Sequence, residues 1–319
     1  AAVSVNGTAV TGETSVPLSG DETVITVKAA MEDAPSQARE YKIHVLRKKS
    51  VKLTLKADPA DTVITLKDAD SKKLKAENGV YTLKAEETYS YVVVKAGYVT
   101  KKDTISITEN TEKTITMEKA PESTRKDVSA AWENFRNSDD NMGITSAKTP
   151  TSEATTYEKW FKKLGSGWGA APSVQIIVDN SLIVMSANHI YKLDLNTGDI
   201  LQTGDMVAAT NFGYTPPTYA DGMIFAPLAD GRVQAFNAET LESLWVYQDT
   251  LKGQSLSPIT YSDGYIYTGF WNAETKDANY VCIPVTDEDP TNAQEAKEAA
   301  WQYTSLGGFY WAGSVVRGD

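Results

Sequence analysis

The sequence predicts an all-β chain in which small β modules precede a repeated four-stranded unit. Short runs rich in Val, Ile, Thr and Tyr are bounded by Gly, Asn, Asp and Pro along nearly the whole length, a pattern typical of strands joined by tight turns. A similar segment occurs three times within residues 172–319. No run of about 18 apolar residues occurs, so no insertion into a membrane is predicted.

Residues 1–47 form the first predicted module. Val5-Asn6-Gly7-Thr8 indicates a tight turn, and strands are predicted over 23–27 and 41–45, with a polar loop over 32–39 between them. The segments VNG, VPLSGDETVITVKA and REYKIHVLRK resemble the C-terminal half of a cadherin-like β-sandwich from bacterial surface proteins. About half of such a domain would be missing, so we expect the chain to begin inside it.

Residues 48–119 form the second predicted module, a small sandwich. Strands are predicted over 51–55, 62–66, 80–83, 89–95, 104–107 and 113–117. The segments ADPADTVITLKD and NGVYTLKAEETYSYVVVKAGYVTKKDTISIT resemble PEGA-type modules, a resemblance that implies a spacer without chemistry of its own. Residues 120–171, rich in Ser, Thr, Asn and Pro, are predicted to be a linker that leads into the next domain.

Residues 172–319 carry the internal repeat. The turn aspartates Asp179, Asp221 and Asp263 are 42 residues apart, and each unit contains four short strands. This period and strand number predict the blades of a β-propeller. GSVVRGD at 313–319 indicates the start of a fourth blade, so we expect an incomplete propeller. The third unit is longer, and its insertion is predicted to be helical over 292–301 because Ala, Gln, Glu and Lys dominate there.

The second blade contains Ala235, Asn237, Thr240, Leu241 and Trp245. Their spacing resembles the motif Ala-x-Asp-x-x-Thr-Gly-x-x-x-Trp of the propeller family named after pyrroloquinoline quinone, with Asn in place of Asp and Leu in place of Gly. In that family the Thr-Gly pair makes a turn and the tryptophan docks one blade on the next. The segment AAWENFRNSDDNMGIT also resembles the family's lead-in. The positions assigned to this structural motif are Asp194, Thr197 and Gly198 in the first blade, Ala235, Asn237, Thr240 and Trp245 in the second, and Trp301 in the third.

No catalytic residue, cofactor site or metal site is predicted. The single cysteine, Cys282, lies in an apolar run, and His44 and His189 fall in different predicted domains, so no multi-residue zinc set is available. Quinone-dependent enzymes of the propeller family usually carry a vicinal cysteine pair, which this sequence lacks. No phosphate-binding or dinucleotide-binding motif occurs either.

Two short patterns have a second interpretation. Residues 194–199 alternate oxygen-bearing side chains as a calcium loop does, but the bidentate acid is missing and a blade turn accounts for the same residues. Arg317-Gly318-Asp319 spells an integrin-recognition tripeptide, although it falls where the earlier blades place their first turn.

Strand parity predicts a candidate ligand surface. Antiparallel strands place every second connection at the same end of a blade, and four aromatic residues fall in such connections: Trp168, Tyr214, Trp271 and Tyr310. Exposed rings beside carboxylates are suited to sugars or peptides. The alternative interpretation is that these rings pack between blades.

The absence of catalytic motifs favours a non-catalytic binding or scaffold protein with a protein or glycan as ligand, and the resemblances to bacterial surface modules imply a location at the bacterial cell surface. Residues 172–319 contain six basic and 18 acidic residues, a net charge of −12, which disfavours nucleic acid as a partner. Two alternatives remain open: a quinoprotein-type dehydrogenase whose site lies in blades outside this sequence, and a propeller scaffold for envelope assembly.

Overall fold

The computed structural model describes residues 2–31, 33–210 and 215–316, with the backbone alone described for Pro35. Its regular structure within these residues is β-strand apart from three single-turn 3-10 helices, which confirms the predicted all-β class. The same residues contain no helix that is long and apolar enough to cross a membrane. The chain divides into two compact units, one comprising residues 1–56, 65–91 and 102–115 and the other residues 57–64, 92–101 and 116–319.

The first strands form one antiparallel sheet in the order β2-β1-β3-β4. Asn6 and Gly7, with φ of 47° and 81°, make the predicted two-residue turn between the first two strands. The expected polar loop over 32–39 is wrong in extent, because the fourth strand already begins at Ala34, which pairs with Met31. None of the described side chains of this sheet is buried. The strands are β1 (Ala2–Val5), β2 (Thr8–Val10), β3 (Glu22–Met31) and β4 (Ala34–Leu46).

The next six strands form two three-stranded sheets, in the orders β10-β5-β7 and β6-β8-β9. Alternate side chains point inward, and Leu53, Leu66 and Tyr91 are almost completely buried, as period-2 patterning predicts. The strands are β5 (Ser50–Asp58), β6 (Val63–Lys67), β7 (Val80–Lys84), β8 (Thr88–Val94), β9 (Lys101–Ser106) and β10 (Thr111–Thr116).

Three antiparallel blades follow, and short β-branched runs supply their strands. The first blade has an added edge strand and the order β11-β12-β13-β14-β15, the second begins β16-β17-β18-β19, and the third is β20-β21-β22-β24. The strands are β11 (Ala130–Trp132), β12 (Ile176–Val178), β13 (Ser181–Ser186), β14 (His189–Asp194), β15 (Ile200–Asp205), β16 (Thr218–Ala220), β17 (Met223–Leu228), β18 (Arg232–Asn237), β19 (Ser243–Gln248), β20 (Thr260–Ser262), β21 (Tyr265–Gly269), β22 (Asp277–Pro284), β23 (Glu295–Lys297) and β24 (Trp301–Leu306).

The first hairpin of every blade turns in the same way. Asp179, Asp221 and Asp263 have φ of 46°, 55° and 51°, and each is followed by a second residue with positive φ. Two successive positive φ values define the turn that matches the twist of antiparallel strands, and Asp, Asn and Gly tolerate them best. The 42-residue repeat of these aspartates is therefore a repeat of one backbone turn.

Apolar side chains between neighbouring blades form the core of the propeller region. Ile183, Met185 and Ile190 of the first blade cluster with Ile224 and Phe236 of the second. A further cluster joins the second blade to the third, through Phe225, Trp245, Ile266, Phe270 and Val281. The facing surfaces of neighbouring blades are therefore buried against each other, as repeat architectures require.

The lead-in segment, residues 130–145, packs against the blades. β11 adds to the edge of the first blade through Ala130 and Trp132. A single oxygen, Oδ1 of Asp139, accepts hydrogen bonds from Asn134 Nδ2 at 2.6 Å and from the backbone N–H of Tyr261 at 3.0 Å. Burial raises the pKa of Asp139 above its ordinary value. The lead-in thus contacts both the first blade and the third.

The predicted helix over 292–301 is wrong. Residues Glu295–Lys297 instead form β23, which pairs in parallel with β19 of the second blade. Lys297 is fully buried, and its Nζ lies 2.5 Å from Glu288 and 3.0 Å from Glu295. Hydrogen bonds to the blade edge and these buried ion pairs outweigh the helical preference of Ala, Glu and Lys, which amounts to a few tenths of a kcal/mol per residue.

Candidate functional site

Antiparallel pairing divides the loops of the propeller region between two ends. One end, here named the connection end, carries residues 206–210, 215–217, 229–231, 249–259, 270–276 and 307–313, which join blades or link β17 to β18 and β21 to β22. The opposite end, the turn end, carries the aspartate turns and the loops before β15 and β19. Trp271 and Tyr310 therefore belong to the connection end.

An aromatic cavity of about 580 Å³ lies at the connection end. It is lined by Trp168, Gln254, Leu256, Trp271, Glu274, Tyr310 and Trp311. Three of the four predicted ligand residues, Trp168, Trp271 and Tyr310, thus line one cavity. The fourth, Tyr214, lies outside the described residues. Trp168 remains 77% exposed and Trp311 54% exposed, so the cavity presents its rings to the surface.

Backbone hydrogen bonds link three loops of the connection end, two of which carry rings of the cavity. The N–H of Gln254 donates to the carbonyl of Trp271 at 2.7 Å, and the N–H of Trp271 donates back to the carbonyl of Gln254 at 3.0 Å. The N–H of Trp311 donates to the carbonyl of Leu256 at 3.1 Å. These bonds pin the connection before the third blade to the loop within it and to the segment after it.

The segment after the third blade approaches the cavity through a glycine. Gly308 has φ of +63°, and a Cβ at this position would lie 2.5 Å from the carbonyl oxygen of Phe270, so no other residue fits without movement. Trp311 also has a positive φ, 68°, which is unfavourable for a bulky residue. Non-glycine residues with a positive φ are concentrated at active sites and ligand sites.

The rings of the cavity meet at steep angles. Trp271 and Tyr310 have ring centroids 5.9 Å apart and planes at 63°, and Tyr310 and Trp311 have centroids 6.0 Å apart and planes at 75°. Edge-to-face contacts of this kind stabilise the arrangement by about 0.5–1.5 kcal/mol for each pair. All three rings line the same cavity.

Few polar groups line the aromatic cavity. Oε1 of Gln254 and Nε1 of Trp271 are buried and have no hydrogen-bond partner among the described residues. Among the lining residues, the ionisable side chains are the carboxylate of Glu274 and the phenol of Tyr310. The cavity therefore offers mainly apolar and π contacts, together with one negative charge at its rim.

Sequence reasoning missed four lining residues: Gln254, Leu256, Glu274 and Trp311. Trp311 directly follows Tyr310 in the run Phe309-Tyr310-Trp311, so strand parity alone could have added Trp311 to the predicted ligand residues. Gln254, Leu256 and Glu274 belong to no sequence pattern. The bridge between Gln254 and Trp271 and the hydrogen bond from Trp311 to Leu256 bring the first two beside the rings.

Strand register gives the motif residues equivalent positions in the three blades. Ala235 pairs with Trp245 between β18 and β19, and Cys282 pairs with Trp301 between β22 and β24. In the first blade the corresponding pair is Lys192 with Gln202. Trp245 is completely buried and donates from Nε1 to the carbonyl of Val285 at 3.1 Å, whereas Trp301 is 40% exposed.

The loop that resembles a calcium site is a hydrogen-bonded turn. Oδ1 of Asp194 accepts from the backbone N–H groups of Asn196 and Thr197 at 2.7 and 2.9 Å, and these bonds hold the pKa of Asp194 below its ordinary value. In the second blade, Oδ1 of Asn237 accepts from the N–H groups of Glu239 and Thr240. An amide replaces a carboxylate there without loss of the turn, so the turn needs an acceptor rather than a charge.

The two histidines and the cysteine are not part of the lining of the aromatic cavity. His44 contacts Glu22 at 2.6 Å, and His189 contacts Asp205 at 2.9 Å. Cys282 is buried, and burial raises the pKa of its thiol to about 12, so it has little thiolate character. Arg317-Gly318-Asp319 lies outside the described residues.

A second cavity, of about 590 Å³, lies at the turn end. Arg125 and Asp287 in its wall form a buried ion pair, with Nη1 2.8 Å from Oδ2. Asp127 accepts a hydrogen bond from the hydroxyl of Tyr219 at 2.6 Å, and Asp221 accepts one from Tyr261 at 3.0 Å. These contacts hold the segment before the lead-in against the second and third blades.

Comparisons with known proteins bear on the propeller region. Residues 152–272, less than half of the chain, match the model of a repeat family described as outer membrane protein assembly factor BamB. The match supports propeller repeats of the pyrroloquinoline-quinone type in this region. No curated protein matches the chain.

Several solved structures are similar to part of the chain. A europium-containing methanol dehydrogenase is 18% identical with a TM-score of 0.33, over 45% of this chain and 27% of that one. BamB from Moraxella catarrhalis is 11% identical with a TM-score of 0.29, over 39% and 33%. A quinohemoprotein alcohol dehydrogenase from Comamonas testosteroni is 19% identical with a TM-score of 0.33, over 42% and 21%. The chain thus spans a third or less of each of these structures.

Proposed function

We propose that this protein is a non-catalytic binding or scaffold protein of the bacterial envelope or cell surface, and that the aromatic cavity receives a segment of a protein partner. One observation carries the proposal: loops from separate parts of the propeller region bring three tryptophans and a tyrosine to one open cavity. In this proposal the β modules that precede the blades act as spacers.

The exposure of the rings supports a binding role. Trp168 and Trp311 are more than half exposed, although burying such rings would be favourable by a few kcal/mol each. Tryptophan and tyrosine dominate the binding energy of protein interfaces because they bury a large area with few rotatable bonds. Exposed rings around a cavity are therefore suited to receiving a partner's side chain.

A protein is favoured over a glycan as the partner. The family that matches residues 152–272 is described as an assembly factor for outer membrane proteins, and this description supports a role in contacting other polypeptides. A scaffold for envelope assembly is one form of this proposal. Glycan binding is the alternative outcome of the test below.

Peptide and glycan arrays probed with the whole chain test the proposal. We expect binding to peptides, and loss of that binding in Trp168→Ala and in Trp271→Ala. Tyr157→Ala is the matched control, because Tyr157 is 82% exposed and lies outside the cavity lining. Binding to glycans alone would replace the protein partner with a sugar. Binding unaffected by Trp168→Ala and Trp271→Ala would reject the cavity as the site, and dye reduction with added pyrroloquinoline quinone and calcium would reject a non-catalytic role.

A further inference from the structure

The shape of the aromatic cavity distinguishes between classes of ligand. A sugar stacks its flat face on one exposed ring. In this cavity the planes of Trp271 and Tyr310 meet at 63° and those of Tyr310 and Trp311 at 75°, so the rings form walls rather than a platform. A compact, rounded group touches several such walls at once.

The charge of the cavity favours a cation. Glu274 contributes a carboxylate at the rim, and no Lys, Arg or His is present among the described residues of the lining. The region from 172 to 319 carries a net charge of −12, which raises the local concentration of cations. Aromatic faces attract cations as well, because the π-electron density above and below each ring is negative.

The polar groups of the wall favour a cation that forms no hydrogen bonds. Sugars and primary ammonium groups need several well-placed partners when they leave water. In the lining, Oε1 of Gln254 and Nε1 of Trp271 are buried within the wall, which leaves Glu274 as the accessible charged acceptor. A methylated ammonium group requires only π faces and a counter-charge, and aromatic cages bind such groups.

We propose that the aromatic cavity binds a methylated ammonium group, which contacts the faces of Trp271, Tyr310 and Trp311 and is balanced by Glu274. This inference rests on the proposed function, since it names the chemical group that the cavity takes from its partner. The same group occurs in free choline, in trimethyllysine side chains and in phosphocholine headgroups, and the experiment distinguishes these sources.

Choline and its neutral isostere 3,3-dimethylbutan-1-ol provide the test, because they differ in charge and hardly in shape. Titration of the whole chain, followed by tryptophan fluorescence, is expected to show choline binding about tenfold more tightly than the isostere, the range expected from cation–π attraction at a few rings. Glu274→Gln should weaken choline binding severalfold and leave the isostere unchanged. The matched control is Asp277→Asn, which removes one negative charge outside the lining and should change neither.

The outcomes separate the two proposals. Equal affinity for choline and the isostere, or choline binding that Glu274→Gln leaves intact, would overturn the cation inference while leaving peptide binding to the cavity in place. Peptide binding on the array without any choline binding would do the same. Choline binding without peptide binding would reject the protein partner and retain the site. A trimethyllysine peptide and vesicles of phosphatidylcholine, titrated in the same way, then identify the carrier of the group.

Discussion

Trp245 and Trp301 form a natural pair for measuring how much stability one blade contributes by covering another. Strand register places them at equivalent positions in the second and third blades. Trp245 is completely buried beneath the third blade, whereas Trp301 keeps 40% of its surface exposed. The perturbation is truncation to alanine at each position in separate variants.

The expected losses follow from the buried surface. A fully buried tryptophan removes up to about 250 Å² from water, worth about 6 kcal/mol as an upper bound at about 25 cal/mol per Å². Truncations of large aromatic residues in cores cost about 3–5 kcal/mol, and losing the hydrogen bond from Trp245 to Val285 adds about 1 kcal/mol. Trp301 buries about 60% as much surface, so Trp301→Ala should cost about 2–3 kcal/mol.

Urea denaturation followed by tryptophan fluorescence measures both losses in the relevant part of the chain. All seven tryptophans belong to the unit that contains the blades, so six remain as probes in each variant and the N-terminal sheet contributes no signal. We expect Trp245→Ala to lose about 2 kcal/mol more than Trp301→Ala. Equal losses, or a loss below about 1 kcal/mol for Trp245→Ala, would refute the idea that the tryptophan docks one blade on the next.

Three further results are expected. Burial raises the pKa of Asp139, so the contribution of this carboxyl group to stability is complete below the ordinary carboxyl pKa of about 4 and is lost as pH rises through the elevated pKa. Asp139→Asn keeps both hydrogen bonds to Oδ1 and should make the urea midpoint less dependent on pH. An unchanged pH profile of the urea midpoint would contradict this. Burial raises the pKa of the Cys282 thiol to about 12, so this thiol should resist alkylation by iodoacetamide at about pH 8 until the protein unfolds. Mass spectrometry measures the alkylation, and rapid alkylation of the native protein would place the thiol at the surface. Lys297→Met leaves Glu288 and Glu295 without their cation and should lower the free energy of unfolding by about 3–5 kcal/mol. Adding Glu295→Gln should recover part of this loss. An unchanged free energy of unfolding in Lys297→Met would mean that the ion pairs do not hold β23.

Much of the fold could be predicted because its signals are local. The turns at Asp179, Asp221 and Asp263 need two residues with positive φ, and Asp followed by Asn or Gly specifies them within two positions. The strands of the second module follow the same logic, since period-2 burial is visible in the sequence itself. The helix prediction for residues 292–301 was wrong because helix propensity is a weak preference, which pairing with a blade edge and buried ion pairs override.

The candidate site could be predicted in part. Strand parity is a topological property, and it assigns Trp168, Trp271 and Tyr310 to connections at one end without any knowledge of distances. Parity does not state whether rings in different loops meet. The bridge between Gln254 and Trp271 and the close approach of Gly308 to Phe270 decide that, and they join residues whose sequence neighbours contain no sign of the pairing.

The sequence by itself determined the repeat of the blades, the turns that define them and the loops in which the aromatic residues fall, because each of these depends on residues close together in the chain. Only the tertiary structure decided that Trp245 is covered while its counterpart Trp301 is not, and that β23 joins the edge of the second blade. It also decided that separate loops enclose one aromatic cavity with Glu274 at its rim. These features depend on which surfaces pack together in the folded chain. Burial and π contact arise between segments that are distant in the sequence, so no single segment encodes them.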